Sequence, residues 1–170
     1  MTDIVQDRDG FLWVGTQRGL SRFDGLEFNN TFSSKNFPSD FIEEILVEPD
    51  GKIWLATHKG CVVYQVKAGE MGQWKVLGPE QGLASERVRS VARGPGGHIW
   101  FGTTGGVSRF DGKRFETIKF GGEPKRNFIN DIVFDKSGDA WIATSLGLNR
   151  VSGEKVERFT TRDGLIDDQV

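Results

Sequence analysis

Gly10-Phe-Leu-Trp13-Val-Gly-Thr16 is the first of four versions of one phrase; the others are Gly51-Lys-Ile-Trp54-Leu-Ala-Thr57, Gly97-His-Ile-Trp100-Phe-Gly-Thr103 and Gly138-Asp-Ala-Trp141-Ile-Ala-Thr144. Their tryptophans lie 41, 46 and 41 residues apart. Ten residues after each comes Phe23, Tyr64, Phe110 or Val151, and five beyond that Phe28, Phe115 or Val156. In the second unit the matching Trp74 comes ten residues beyond Tyr64, so Lys67-Ala-Gly-Glu-Met-Gly72 carries a five-residue insertion. From Phe28, Trp74 and Phe115 to the next phrase's Trp the distance is 26 every time. A repeat of this length specifies a chain of supersecondary units that bury their faces against each other.

Each unit reads as four strands. Strand A, such as Ile4-Val5-Gln6 or Ile45-Leu46-Val47, runs into an Asp-Gly or Gly-Gly turn suited to a tight hairpin. Strand B carries the Trp, strand C follows Gly19, Gly60, Gly106 or Gly147, and Asp24-Gly25 or Asp111-Gly112 turns into strand D. In strand B, Leu12 and Val14 alternate with Phe11 and Trp13, so both faces are apolar, as in a strand buried on both sides. Blades of a propeller meet that description, because each sheet lies between two others. A helical solenoid would need sustained 3.6-residue periodicity, and Gly or Pro interrupts these units every few residues. The expected fold is all-β: a β-propeller segment of four four-stranded blades, approximately 1–40, 41–87, 88–128 and 129–170, forming a partial propeller or half of a larger ring. Two residues after each Trp stands only Gly15, Ala56, Gly102 or Ala143, a position expected to make room for a bulky side chain of the adjacent blade.

Composition narrows the function classes. The 22 basic and 24 acidic residues nearly cancel, which argues against a nucleic-acid footprint. No apolar run approaches the roughly 20 residues of a membrane span, so a membrane would be reached only through flanking segments. Cys61, the single cysteine, excludes an internal disulfide and reads as a small buried filler. Gly102-Thr-Thr-Gly-Gly106 lacks the Lys-Ser/Thr ending of a phosphate loop and reads as a turn. No motif calls for a cofactor. Asp7-Arg-Asp-Gly10 and Asp135-Lys-Ser-Gly-Asp139 lack the later bidentate Glu of a calcium loop and read as hairpin turns, without a metal.

At these same residues the sequence resembles the two-component regulator propeller repeat. Unit one carries the resemblance in Ile4, Asp7, Gly10, Trp13-Val-Gly-Thr16, Gly19-Leu20 and Arg22-Phe23-Asp24-Gly25, and unit three in Trp100-Phe-Gly-Thr103, Gly106 and Arg109-Phe110-Asp111-Gly112. Gln81-Gly82-Leu83 and Asp163-Gly164-Leu165 are similar to the family's segment between blades, without its proline. Unit two departs furthest, with Cys61-Val-Val-Tyr64. The resemblance implies a periplasmic or extracytoplasmic input domain of a bacterial sensor, with a histidine kinase or GGDEF-type cyclase as output and carbohydrate fragments among the ligands. It implies a binding module, not an enzyme.

In a four-stranded blade the B–C loops and the D–A connections share one end. The rim so formed is the expected binding face, and Gln17, Arg18, His58, Lys59, Arg87 and Arg126 are its candidate ligand residues. Their cationic bias suits a small anionic or carbohydrate-like ligand, since guanidinium groups offer paired donors in a planar fork. Equivalent positions vary from unit to unit, as binding loops do and as unconstrained surface loops also do. No catalytic residue is assigned. A streptogramin-lyase-like enzyme using His58 as general base is the alternative, although no His/Glu pairing is visible by spacing; a protein-docking scaffold is the third reading. The step from Val170 to Ile4 of a second copy would reproduce the three-residue step from Val88 to Val91, so a homodimer completing an eight-blade ring is a further expectation.

Overall fold

The structure, a computed structural model, describes residues 2–30, 37, 39, 41–65, 73–118 and 128–170. They form four four-stranded antiparallel sheets, each paired in strict sequence order. The first holds β1 (Asp3–Gln6), β2 (Leu12–Thr16), β3 (Gly19–Phe23) and β4 (Phe28–Asn29). The second holds β5 (Ile42–Val47), β6 (Ile53–Thr57), β7 (Gly60–Gln65) and β8 (Gln73–Leu77). The third holds β9 (Val88–Arg93), β10 (Ile99–Thr103), β11 (Gly106–Phe110) and β12 (Phe115–Ile118). The fourth holds β13 (Ile129–Phe134), β14 (Ala140–Thr144), β15 (Gly147–Ser152) and β16 (Lys155–Phe159). Helical turns among the described residues are short 3-10 pieces such as Pro79–Gln81 and Thr161–Asp163. The propeller architecture is therefore present.

Tyr64 pairs with Trp74 as Phe23 pairs with Phe28, Phe110 with Phe115 and Val151 with Val156. The insertion thus falls between strands C and D, and its segment, residues 67–72, lies outside the described residues. The first strands stand side by side: β1 packs on β5, β5 on β9 and β9 on β13. No comparable packing joins β13 to β1, so the blades form an open arc and not a closed four-blade ring.

The blades meet through a size match. A Cβ built on Gly15 would come within 2.9 Å of Ile42 Cγ2, and one on Gly102 within 2.6 Å of Ile129 Cγ2, each in the following blade. At the middle junction the small residue is Ala56, and the residue equivalent to those isoleucines is Val88, one methyl smaller. The small position after each tryptophan thus leaves room for the branched side chain of the next inner strand, as close packing demands. Around this contact Trp54 meets Phe101 and Phe110 of the third blade, both at 5.7 Å, and Trp100 meets Phe134 of the fourth edge-on at 5.3 Å. Cys61 is fully buried, and burial pushes its thiol up.

Burial of strand B follows position in the arc. In the two inner blades all five residues of β6 and β10 are buried. In β2 the half-buried residues are Leu12, Val14 and Thr16; in β14 they are Trp141 and Ala143, the opposite parity. Trp13, Trp54 and Trp100 are accordingly buried, at 3, 4 and 7 % exposure, whereas Trp141 is half-buried. Its blade has no successor within the chain, and Trp141 stacks instead on Phe159 of its own sheet.

An acid locks three of these indoles. Trp13 Nε1 donates to Asp7, Trp54 Nε1 to Glu48 and Trp141 Nε1 to Asp135, at 2.7, 2.7 and 3.0 Å. The other oxygen of Asp7 accepts from the Asp9 and Phe11 amides, and that of Asp135 from Ser137 and Asp139. The bond from Trp141 holds the Asp135 carboxyl below its usual range. The Asp-Gly turns thus fasten strand A to the tryptophan besides reversing the chain. In the third blade Gly94 stands where the acid would be, and Phe134 of the next blade fills the space. The buried Trp100 Nε1 has no partner among the described residues.

Gly102→Ala is expected to destabilise the fold by about 1–3 kcal/mol, the usual cost of overpacking. Ile129→Ala removes the contacting Cγ2 methyl, so Gly102→Ala should cost less in that background. A denaturation double-mutant cycle measures the coupling; strictly additive effects of the two changes would contradict the size match.

Candidate functional site

Each B–C turn is closed by the threonine that ends strand B. Thr16, Thr57, Thr103 and Thr144 donate through Oγ1 to the carbonyls of Gly19, Gly60, Gly106 and Gly147 at 2.7–2.8 Å. The same oxygens accept from the amides of Arg18, Lys59, Gly105 and Leu146. The glycine is obligatory at Gly147, where φ is 117° and a Cβ would meet the Phe159 carbonyl at 2.5 Å. With the turn fixed by Thr and Gly, its two central side chains differ from blade to blade, although in the third a Cβ at Gly105 would meet Ala84 O at 2.5 Å.

The D–A connections reach the same end. The Gly60 amide donates to Glu86 O at 2.6 Å, Thr104 N to Arg87 O at 3.1 Å, His58 N to Phe41 O at 3.4 Å and Ser145 N to Phe128 O at 3.1 Å. The segment around Pro79–Gln81 is pinned further by Ala84 N to Ser108 Oγ and by the Ser85–Thr104 hydroxyl pair, both at 2.9 Å. Among the described residues the rim loops are therefore held to each other by backbone bonds.

A structural irregularity supplies what the loops alone do not. Strand A of the second, third and fourth blades carries a β-bulge at its rim end, between Ile42 and Glu44, at the Val88–Ser90 step, and between Ile129 and Asp131. A bulge re-aims the extra side chain out of the pleat, and the residues so placed are Glu43, Arg89 and Asn130. Glu43 Oε1 lies 2.8 Å from His58 Nε2 and 3.7 Å from an Arg87 amino group. The His58 ring stacks on Phe41 with centroids 4.0 Å apart and planes 6° from parallel. Phe41, Glu43, His58 and Arg87 thus form one polar cluster, at the junction of the second and third blades.

Of the residues expected from sequence, His58 and Arg87 belong to this cluster, and Lys59 stands exposed beside it on the same turn. Gln17 and Arg18 are exposed on the first blade's turn and make no ion pair among the described residues. Arg126 lies outside the described residues. Glu43 is the residue that sequence reasoning missed, and with it the His/Glu pairing that spacing does not display. Its carboxylate also stands against the positive charge of Arg87, at 3.7 Å.

One step inward, equivalent positions Asp3, Glu44, Ser90 and Asp131 reach from blade to blade. Asp3 accepts from the Ile45 amide and Glu44 from the Val91 amide, both at 2.7 Å, and Ser90 Oγ accepts from the Ile132 amide at 3.2 Å. Burial pushes Glu44 up to about 7; its bonds to Val91 and Ser90 oppose this, and the neighbouring Asp131 and Asp3 carboxylates add to it.

The two-component regulator propeller family model matches residues 1–18. No curated protein matches the chain in sequence. Among solved structures the chain is similar to the extracellular domain assigned to a hybrid two component system, BT3049 from B. thetaiotaomicron. There the identity is 25 % and the TM-score 0.82, over 98 % of this chain and 24 % of that one. It is similar in fold to PorZ, a surface component of the type-IX secretion system of Porphyromonas gingivalis, at 18 % identity and TM-score 0.73 over 98 % and 28 %. Virginiamycin B lyase from Staphylococcus aureus, in a catalytically inactive form with quinupristin, matches at 13 % identity and TM-score 0.70 over 92 % and 54 %. The chain spans about a quarter of the length of the first two.

Because Glu44 titrates higher in the folded than in the unfolded chain, the folded state holds a proton that the unfolded state releases between pH 4.5 and about 7. The stabilisation present below pH 4.5 is lost as pH rises through 7. Glu44→Gln keeps an acceptor for the Val91 amide and should remove this slope, gaining on the order of 1–3 kcal/mol over the parent at pH 8 relative to pH 4.5. Parallel urea titrations across that range check it; equal pH dependence in parent and variant would contradict it.

Proposed function

We propose that this chain, which carries two-component regulator propeller repeats, is a non-catalytic ligand-sensing module within the extracytoplasmic input domain of a bacterial signal-transduction sensor. Its output, a histidine kinase or a GGDEF-type cyclase, belongs to flanking segments. The observation that carries the reading is the rim cluster of Phe41, Glu43, His58 and Arg87. Its scaffold of Thr-closed turns and bulges is repeated, while the side chains presented are not. The similarity to sensor extracellular domains supports the same role.

The ligand class follows from the donor set. A carboxylate, an imidazole and a guanidinium at one junction, beside a flat Phe41–His58 stack, suit a polyhydroxylated, carbohydrate-like ligand that both donates and accepts. A simple anion is less well served, since Glu43 already stands against Arg87 and His58. Lys59, exposed nearby, would add affinity for an acidic sugar.

A second reading rests on the His58–Glu43 bond itself. A carboxylate-oriented imidazole at an accessible rim is the arrangement of a general base, and virginiamycin B lyase shares the fold. Incubation with quinupristin separates the two readings: turnover that disappears in His58→Ala would favour a lyase, and its absence leaves the binding module.

Calorimetric titration with a panel of neutral and uronic-acid oligosaccharides is expected to find a ligand whose affinity falls at least tenfold in Glu43→Gln and Arg87→Ala. Lys113→Ala, beside Asp111-Gly112 at the opposite end of the blade, should bind as the parent does. If the Lys113 end is sensitive and the Glu43 cluster silent, the functional face is the other one.

A further inference from the structure

The junction of the third and fourth blades is built differently from the two before it. Each following blade turns one row of side chains, one from each strand, toward the tryptophan of the blade before. In the second blade the row is Val47, Ile53, Tyr64 and Trp74, and in the third it is Arg93, Ile99, Phe110 and Phe115. Strands C and D thus bring two rings to each junction. Tyr64 stands 6.2 Å from Trp13 and Phe110 5.7 Å from Trp54, and each is backed by its strand D neighbour, Trp74 at 4.2 Å or Phe115 at 4.7 Å. In the fourth blade the same register gives Phe134, Ala140, Val151 and Val156. The isoleucine and both outer rings are replaced by smaller side chains.

The result is an open groove of about 660 Å³ between the two blades, against about 330 Å³ for the equivalent groove at the junction before. Ala140 and Val151 lie buried at its base, and Val156, 38 % exposed, forms its lip. Trp100, Ile118 and the Arg109–Glu116 ion pair make the facing wall. Trp100 also lacks the acid that Asp7, Glu48 and Asp135 supply to the other three indoles, because Gly94 takes that place. Its buried Nε1 has no partner among the described residues, and Phe134 packs edge-on against the ring. A buried donor left this way costs stability until an acceptor reaches it. With Arg109 held by Glu116, and Glu154 the remaining carboxylate or ammonium-type charge on the lining, the groove offers no unpaired arginine or lysine to an anion.

We propose that this groove binds an uncharged small molecule of two fused aromatic rings that carries a carbonyl-type acceptor. Its rings take the place that Tyr64 with Trp74, and Phe110 with Phe115, fill at the other junctions. The protein's own side chains therefore show the arrangement, a tilted ring near the indole with a second ring beside it. A turn of the Phe134 ring opens the path from the groove to Trp100 Nε1, where the acceptor replaces the missing carboxylate. The volume lies within the range of small-molecule sites. Pro95, Gly138, Gly153 and Glu154 place its mouth among the A–B and C–D turns, at the end opposite the rim cluster. The site is thus separate from the one formed by Glu43, His58 and Arg87.

Coumarin, two fused rings with a lactone carbonyl, is the probe, and octahydrocoumarin, which keeps the carbonyl without the aromatic ring, is its control. In nitrogen–proton correlation spectra with the five indole resonances assigned, coumarin should shift that of Trp100 saturably and leave those of Trp13 and Trp54 in place. Octahydrocoumarin should bind about tenfold more weakly. Val156→Phe restores the ring of the third blade at a residue that is already partly exposed, so the spectrum of the folded chain should persist while coumarin affinity falls about tenfold or more. Val151→Phe should act in the same way from the base of the groove. Glu43→Gln should leave coumarin binding unchanged, which separates this site from the rim. The proposal is overturned if coumarin gives no saturable shift at Trp100, if the saturated control binds equally well, or if Val156→Phe keeps the parent's affinity.

Discussion

No blade of this protein can bury its own sheet, and that constraint organises everything else. A four-stranded sheet with apolar side chains on both faces needs a neighbour on each side. The neighbour has to arrive at one distance along the whole repeat. That distance is set where strand B is thinnest, at Gly15, Ala56 and Gly102, and where the next inner strand is thickest, at Ile42, Val88 and Ile129. The tryptophans, the cross-blade aromatic contacts and the acid-to-indole bonds are arranged around that contact. The exposure of Ile4 and Trp141 is the same constraint seen where no neighbour is present.

The junctions also carry polarity inward. Strand A of one blade offers Asp3, Glu44 or Ser90 to an amide of the next, so neighbouring inner strands are joined by side chain-to-backbone bonds. Glu44 bears the cost of that placement in its raised affinity for a proton. The third blade departs differently: Gly94 gives up the acid that would hold Trp100, and Phe134 takes its volume. Packing replaces a hydrogen bond there, at the expense of a buried indole N–H without a partner among the described residues.

The rim follows from the same repeat with the opposite rule. Thr and Gly hold each B–C turn by two hydrogen bonds, so the turn itself does not require particular side chains at the two residues between them. The bulge in strand A frees one more position per blade from the pleat. Side chains at such sites can change without disturbing the sheets, which is why a binding surface can be varied there. The cluster of Glu43, His58, Arg87 and Phe41 is built from two such positions, the bulge residue Glu43 and the turn residue His58, and two residues that precede inner strands.

The residues by themselves determined the repeat, the four strands per blade, the tight turns and the small position after each tryptophan, because these are local requirements of volume and backbone conformation. They also placed His58 and Arg87 at one rim, since loops that alternate along an antiparallel blade must share an end. Only the tertiary structure decided that Glu43 joins them. A bulge is a property of how two strands register, and nothing in Ile42-Glu43-Glu44 distinguishes the residue that leaves the pleat from the one that stays. Only the tertiary structure, likewise, separated Trp141 from the other tryptophans. Its phrase is as good as theirs, but burial depends on what stands on the far side of the sheet, and that is fixed by the arc rather than by the unit.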